Sequence, residues 1–201
     1  SATPRKYNIT LGGVLDDVSD TVSFCIAPAV IFFILMSQVN DESIQALPYG
    51  WIAIMYVFLG VTRLVLFVLD QNSIPGFFKG MPVPGAALLA AAPFIMLGNA
   101  LETNTPDVVF WAQFCFVLMI IAGILMISFP IRYMHIGRLM SRSRKFLFLT
   151  IVLIIGFAFT PYFGHAALAY LILYVFSPLY TWRISPEIAS KENPEKLSPS
   201  S

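Results

Sequence analysis

The stretch "GGVLDDVSDTVSFCIAPAV", residues 12 to 30, sets Asp16, Asp17 and Asp20 within five positions and then runs straight into apolar sequence. Asp16 and Asp20 are four apart, so on a helix they project from one face, which Ser23 and Ala27 continue inward as small residues. Two uses fit that spacing. Acidic residues in a first helical turn complement the helix dipole and contribute about 0.3–1 kcal/mol each. Three carboxylates beside an apolar span go beyond capping, because repulsion and partial desolvation raise their pKa values unless cations are present. Oxygen-only clusters of this kind suit hard divalent ions, Mg²⁺ or Mn²⁺. The spacing alone leaves both uses open. Arg63 lies two-thirds along an apolar segment, where a charge is costly enough that a carboxylate partner or a ligand is expected. The alternative is a long side chain snorkelling to the interface. His135 and His165 are isolated and are assigned no chemistry.

The elements that must position these residues are set by composition. The chain of 201 residues is 58% hydrophobic and 11% charged, with mean hydropathy +0.79, too little polar surface to coat a soluble globule. Six segments are long and apolar enough to cross a bilayer: Val18–Gln38, Tyr49–Leu69, Pro84–Leu101, Val109–Pro130, Lys145–Pro161 and Ala166–Trp182. The third and fifth are the shortest. Continuous apolar runs differ from the alternating pattern of a barrel, so the expected fold is an all-α, polytopic membrane helix bundle.

Charge sets the orientation. With the aspartate end of the first span cytoplasmic, segments 39–48, 102–108 and 162–165 fall outside, and none of them carries Lys or Arg. All twelve basic residues lie in the other loops, the termini or the spans, as the positive-inside rule requires. Net charge is +1, which implies no strongly acidic or basic partner and no nucleic acid. Cys25 and Cys115 fall toward opposite leaflets and read as packing residues, not as a disulfide. Trp51, Trp111 and Trp182 sit at span ends, as interfacial residues do.

Three regions follow: a cytoplasmic lead-in over 1–15, where Pro4 and the Gly12–Gly13 pair argue against a long helix; a membrane domain over 16–183; and a Pro-, Ser-, Glu- and Lys-rich cytoplasmic tail over 184–201, which reads as disordered. Two loops stand out. "DQNSIPGFFKGMPVPGAA" (70–87) mixes turn formers with Phe77, Phe78 and Met81 and suggests a structured interfacial re-entry. "RYMHIGRLMSRSRK" (132–145) carries five positive charges, able to attract anionic headgroups or simply to fix topology.

These residues resemble a family. "GGVLDDVSD" is similar to the second half of the CDP-alcohol phosphotransferase signature, with Gly12, Asp16 and Asp20 at its G-x3-D-x3-D positions, and "LDDVSDTVSFCIAPA" resembles its phosphatidylserine synthase form. "TRLVLF" (62–67), "FFKGMPVPGAA" (77–87) and "LMISFPIRY" (125–133) resemble further elements of that form, in order. The likeness covers about residues 12 to 180, with Cys25 in place of a usual Gly and Leu66 in place of an Arg. The first half of the signature would fall at and before residue 3, and members of this type have about eight spans.

The resemblance implies transfer of a phosphatidyl group from CDP-diacylglycerol to L-serine with release of CMP, at the cytoplasmic face of the inner membrane. It implies a divalent metal, Mg²⁺ or Mn²⁺, held by Asp16 and Asp20, with Asp20 also the general base, and Gly12 allowing close approach of the nucleotide. It also implies membrane lipids as surroundings and a homodimer as a common state. Charge and position add Arg63, Lys79 and Arg132 as holders of phosphate and carboxylate. Two alternatives remain at this stage: another acceptor alcohol (glycerol phosphate, inositol phosphate or choline), or a non-catalytic transporter or scaffold that binds a cation.

Overall fold

A computed structural model describes residues 11–69, 77–128, 132–134 and 162–176, together with residues 148, 152, 156 and 160. The first span is longer than its apolar core. It runs from Leu11 to Ser37 as helix α1 (Leu11–Asp20), a π-helical turn (Thr21–Ile26) and helix α2 (Ala27–Ser37). Gly12 and Gly13, expected to oppose a helix, lie inside α1. Each glycine costs about 1 kcal/mol in a helix interior, which does not outweigh the backbone hydrogen bonds that a span entering lipid must make internally.

The π turn has a cause in the sequence. A proline ring clashes with the carbonyl four residues earlier and offers that carbonyl no N–H, and Pro28 stands four residues after Phe24. The chain takes up the conflict by widening one turn, so that Ala27 N–H reaches Val22 O, five residues back.

Asp41 caps the short helix α3 (Glu42–Gln45) by accepting from Ser43 N at 2.9 Å. Helix α4 (Tyr49–Leu69) coincides with the expected second span. After strand β1 (Phe77–Lys79) come α5 (Val83–Thr103) and α6 (Val108–Ile127), within three residues of the expected third and fourth spans. Prolines open α5, and left-handed Asn104 closes it, its N–H bonding Ala100 O. Strand β2 (Arg132–Met134) follows, and a further helix, α7 (Phe163–Phe176), overlaps the expected sixth span. Most of the fifth span, Lys145–Pro161, lies outside the described residues, although positions 148, 152 and 156 are helical.

Among the described residues four helices are thus long and apolar enough to cross a membrane, and the protein is an all-α membrane helix bundle. Helix α6 packs on α4 and α5, and α2 on α4 and α5. The most enclosed helix is α5, whose Ala86, Ala90, Ala92 and Ala100 let neighbouring backbones approach closely. Side chains such as Ile34, Ile54, Phe58 and Val65 stand open on the outside. That is the surface of a protein solvated by lipid. Buried Cys25 and Cys115 are free thiols, as expected.

Candidate functional site

Helices α2 and α4 run antiparallel: Phe33 meets Tyr49 at 5.6 Å between ring centroids near one end, and Cys25 meets Gly60 further along. Extending that register brings Asp20 level with the turn of α4 that carries Arg63. The same end holds strand β1, whose continuation lies against α6, Met81 N donating to Leu125 O at 3.1 Å. The carboxylates and the first candidate cation therefore gather at one end of the bundle.

Along α1, Gly12, Asp16 and Asp20 follow at intervals of four and share a face. Asp16 and Asp17 are exposed, Asp20 is half-buried, and among the described residues nothing outside its own helix backbone crowds a Cβ placed on Gly12. The expected continuation of this face through Ser23 and Ala27 does not hold. The interior stripe runs from Asp20 to Cys25, Ala29, Phe32 and Met36, while Ser23 is exposed. The step from 20 to 25 is the π turn; a regular period of 3.6 misplaces everything beyond it by one residue.

Arg63 is 5% exposed, which excludes the snorkelling alternative. Its guanidinium carbon lies 5.9 Å from the centroid of Phe67, within cation–π range. Its Nε would be 3.7 Å from a Cβ on Gly80. Gly80 itself is fixed by two constraints: φ is +78°, and a Cβ would stand 3.0 Å from Met126 O. Only glycine lets the chain leave β1 there and pass close to both Arg63 and the end of α6.

The two loops singled out in the sequence meet. Strands β1 and β2 pair antiparallel in the register Phe77↔Met134, Phe78↔Tyr133 and Lys79↔Arg132. Lys79 and Arg132, 53 positions apart in the chain, thus occupy one register position. Sequence reasoning named all three cations and did not foresee that a strand pair joins two of them.

Among the described residues no three His, Cys, Asp or Glu side chains come together to hold a metal ion. Asp16 and Asp20 offer two carboxylates along one face, part of the six-oxygen shell of a hard cation and not the whole of it. A groove of about 300 Å³ between α2 and α4, lined by Ala29, Phe33, Gly50 and Ala53 among others, holds no ionisable group and lies away from these residues. His165 is exposed and packs edge-on against Trp111 at 5.7 Å; His135 lies outside the described residues. Trp51 and Trp111 sit in the first turns of α4 and α6, at the end opposite the aspartates.

Fold and site together define a polytopic helical membrane protein with carboxylates and cations gathered at one end. No protein-family model matches the chain. It is similar to two curated proteins, both named CDP-diacylglycerol–serine O-phosphatidyltransferase. One, from Mycobacterium leprae, is 34% identical over 85 residues, which is 39% of this chain and 26% of that protein. The other, from Methanocaldococcus jannaschii, is 35% identical over 117 residues, 58% of this chain and 47% of that protein. The matched part spans less than half the length of either relative. The phosphatidylserine synthase type, anticipated from four short motifs, is thus the type the chain resembles over a substantial part of its length.

Proposed function

We propose that this chain carries part of the active site of a membrane phosphatidyltransferase that moves the phosphatidyl group of CDP-diacylglycerol to the hydroxyl of L-serine, releasing CMP. The observation that supports this best is that the Gly12–Asp16–Asp20 face, Arg63 and the Lys79–Arg132 register position lie toward the same end of the bundle. Both relatives bear the name of that activity.

Each residue has a role that its chemistry suits. Asp20, half-buried, accepts the proton of the serine hydroxyl as its oxygen attacks the phosphorus on the diacylglycerol side of the pyrophosphate. The bond from that phosphorus to the bridging oxygen breaks, and CMP leaves with that oxygen. Arg63, Lys79 and Arg132 hold the phosphates and the serine carboxylate as fixed cations. Gly12 leaves room for the nucleotide to approach the backbone. Asp16 and Asp20 are the chain's contribution to a divalent site for Mg²⁺ or Mn²⁺, which when filled neutralises pyrophosphate charge. The acyl tails stay in the leaflet while serine arrives from water. Taking the basic loops as cytoplasmic, this is the inner leaflet of the cytoplasmic membrane.

The test is CMP release from CDP-diacylglycerol with Mn²⁺ or Mg²⁺, with and without L-serine, by this chain and by the full gene product. Serine-dependent release, with phosphatidylserine identified by mass, is the expected result. Release that depends on another alcohol reassigns the acceptor. Cation-coupled solute flux without CMP release overturns the enzymatic reading. Replacing the base by Asp20→Asn lowers turnover by about 10²-fold or more while leaving the thermal transition in place. Undiminished turnover removes Asp20 from that role.

A further inference from the structure

The π turn between the aspartates and the rest of the first span is explained by Pro28, but its consequence for the site reaches further. A continuous α-helix would bond residue 28 N–H to Phe24 O; proline has no such hydrogen. The carbonyl is satisfied from the neighbouring helix instead: Tyr56, 1% exposed on α4, donates its hydroxyl to Phe24 O at 3.2 Å. One turn further along α4, Gly60 lets the π turn pack flush, since a Cβ there would lie 2.6 Å from Cys25 Sγ. Proline, tyrosine and glycine thus hold one extra residue in the helix at one place.

An extra residue is a change of phase. Successive residues of an α-helix are about 100° apart, so a helix ironed straight through this turn would carry everything on its N-terminal side round by about that angle. Counting back from buried Cys25 at the regular period, the inward direction falls between residues 21 and 22. With the π turn the half-buried positions are Asp20 and Thr21, and Asp16, exposed, lies one turn before Asp20 on its face. We infer that the Pro28 π turn sets the angular position of Asp16 and Asp20, and that Tyr56 is a positioning residue that acts on them through the Phe24 carbonyl. This rests on the phosphatidyltransferase reading only where it attaches chemistry to the two aspartates; the phase itself is a structural claim.

Phase and chemistry can be read separately. The phase is measured by placing single nitroxide labels at positions 15–22 of the full chain, with Cys25 and Cys115 changed to Ser. The labelled protein is reconstituted in bilayers, and the accessibility of each label to oxygen and to a water-soluble nickel chelate is recorded. In the parent protein the accessibility minimum in this window is centred between positions 20 and 21, the two half-buried residues. In Pro28→Ala the minimum moves to between 21 and 22, and in Pro28→Ala with Val22 deleted it returns to between 20 and 21, because removing one residue from a regular helix restores the alignment that the π turn supplied. A minimum that does not move in Pro28→Ala, or that fails to return in the double variant, overturns the inference. Should Pro28→Ala not fold, the double variant still decides: a helix whose fault is phase folds again when the extra residue goes, and failure to do so overturns the inference too. Tyr56→Phe, which keeps the ring and removes the donor, broadens the minimum toward 22; an unchanged profile removes Tyr56 from the positioning role. Serine-dependent CMP release by unlabelled forms of the same variants is the second readout. It falls about 100-fold in Pro28→Ala and recovers in the double variant. A phase that moves while CMP release does not would overturn the catalytic reading of Asp16 and Asp20 and leave the role of the π turn standing.

Discussion

Asp41 and Asp20 show how the same side chain takes different roles from its surroundings. Asp41 is held below the ordinary carboxylate range chiefly by the Ser43 hydroxyl; desolvation opposes this, and the backbone N–H groups of Ser43 and Ile44 add to the lowering. A depressed folded-state pKa gives stability that is present above the unfolded value and lost as pH falls through the folded one. Ser43→Ala therefore raises the Asp41 pKa toward the ordinary range and narrows that acid-side window, which a ¹³C carboxyl titration follows directly. An Asp41 titration unmoved by Ser43→Ala would mean that the backbone donors alone hold it. Neither this short helix nor its cap was foreseen, since residues 39–48 read only as an external loop. For Asp20 the sequence gives the spacing but not the half-buried setting, because that depends on α4 across the bundle.

At the scale of elements, the close pass of the first span against α4 depends on a single missing methyl group. Gly60→Ala puts a Cβ 2.6 Å from Cys25 Sγ, and the two helices must separate or the π turn must distort. Overpacking of this kind costs about 1–3 kcal/mol. Adding Cys25→Ala removes the sulfur and recovers most of the loss, so thermal melts of the two single variants and the double variant should be strongly non-additive. Additive effects would show that the contact does not limit the packing of α4. Span positions were legible here because apolar length is a one-dimensional property: α4 was placed to the residue, and α5 and α6 nearly so. The early start of the first helix was not, since Gly12 and Gly13 read locally as breakers while the hydrogen-bond demand of the whole span overrides them.

For the whole molecule, the junction of two distant loops is the feature with the clearest functional consequence. Lys79 and Arg132 share one register position of the ladder. On the proposed reading, Arg132→Gln raises the KM for the anionic substrates several-fold with little change in kcat. Initial-rate kinetics on a preparation whose thermal transition is unchanged reads this directly; an unchanged KM would remove Arg132 from substrate binding.

By itself the sequence determined that the protein lives in lipid, where its main helices run, and which residue types could do chemistry, because hydrophobic length, charge distribution and motif spacing are all properties of the chain read in order. Only the tertiary structure decided the phase of the first span beyond Asp20, the burial of Arg63 and the meeting of Lys79 with Arg132. The physical reason is common to all three. Each depends on what another segment supplies: a tyrosine hydroxyl for an orphaned carbonyl, a protein interior where lipid or water could have been, a partner strand 53 residues away.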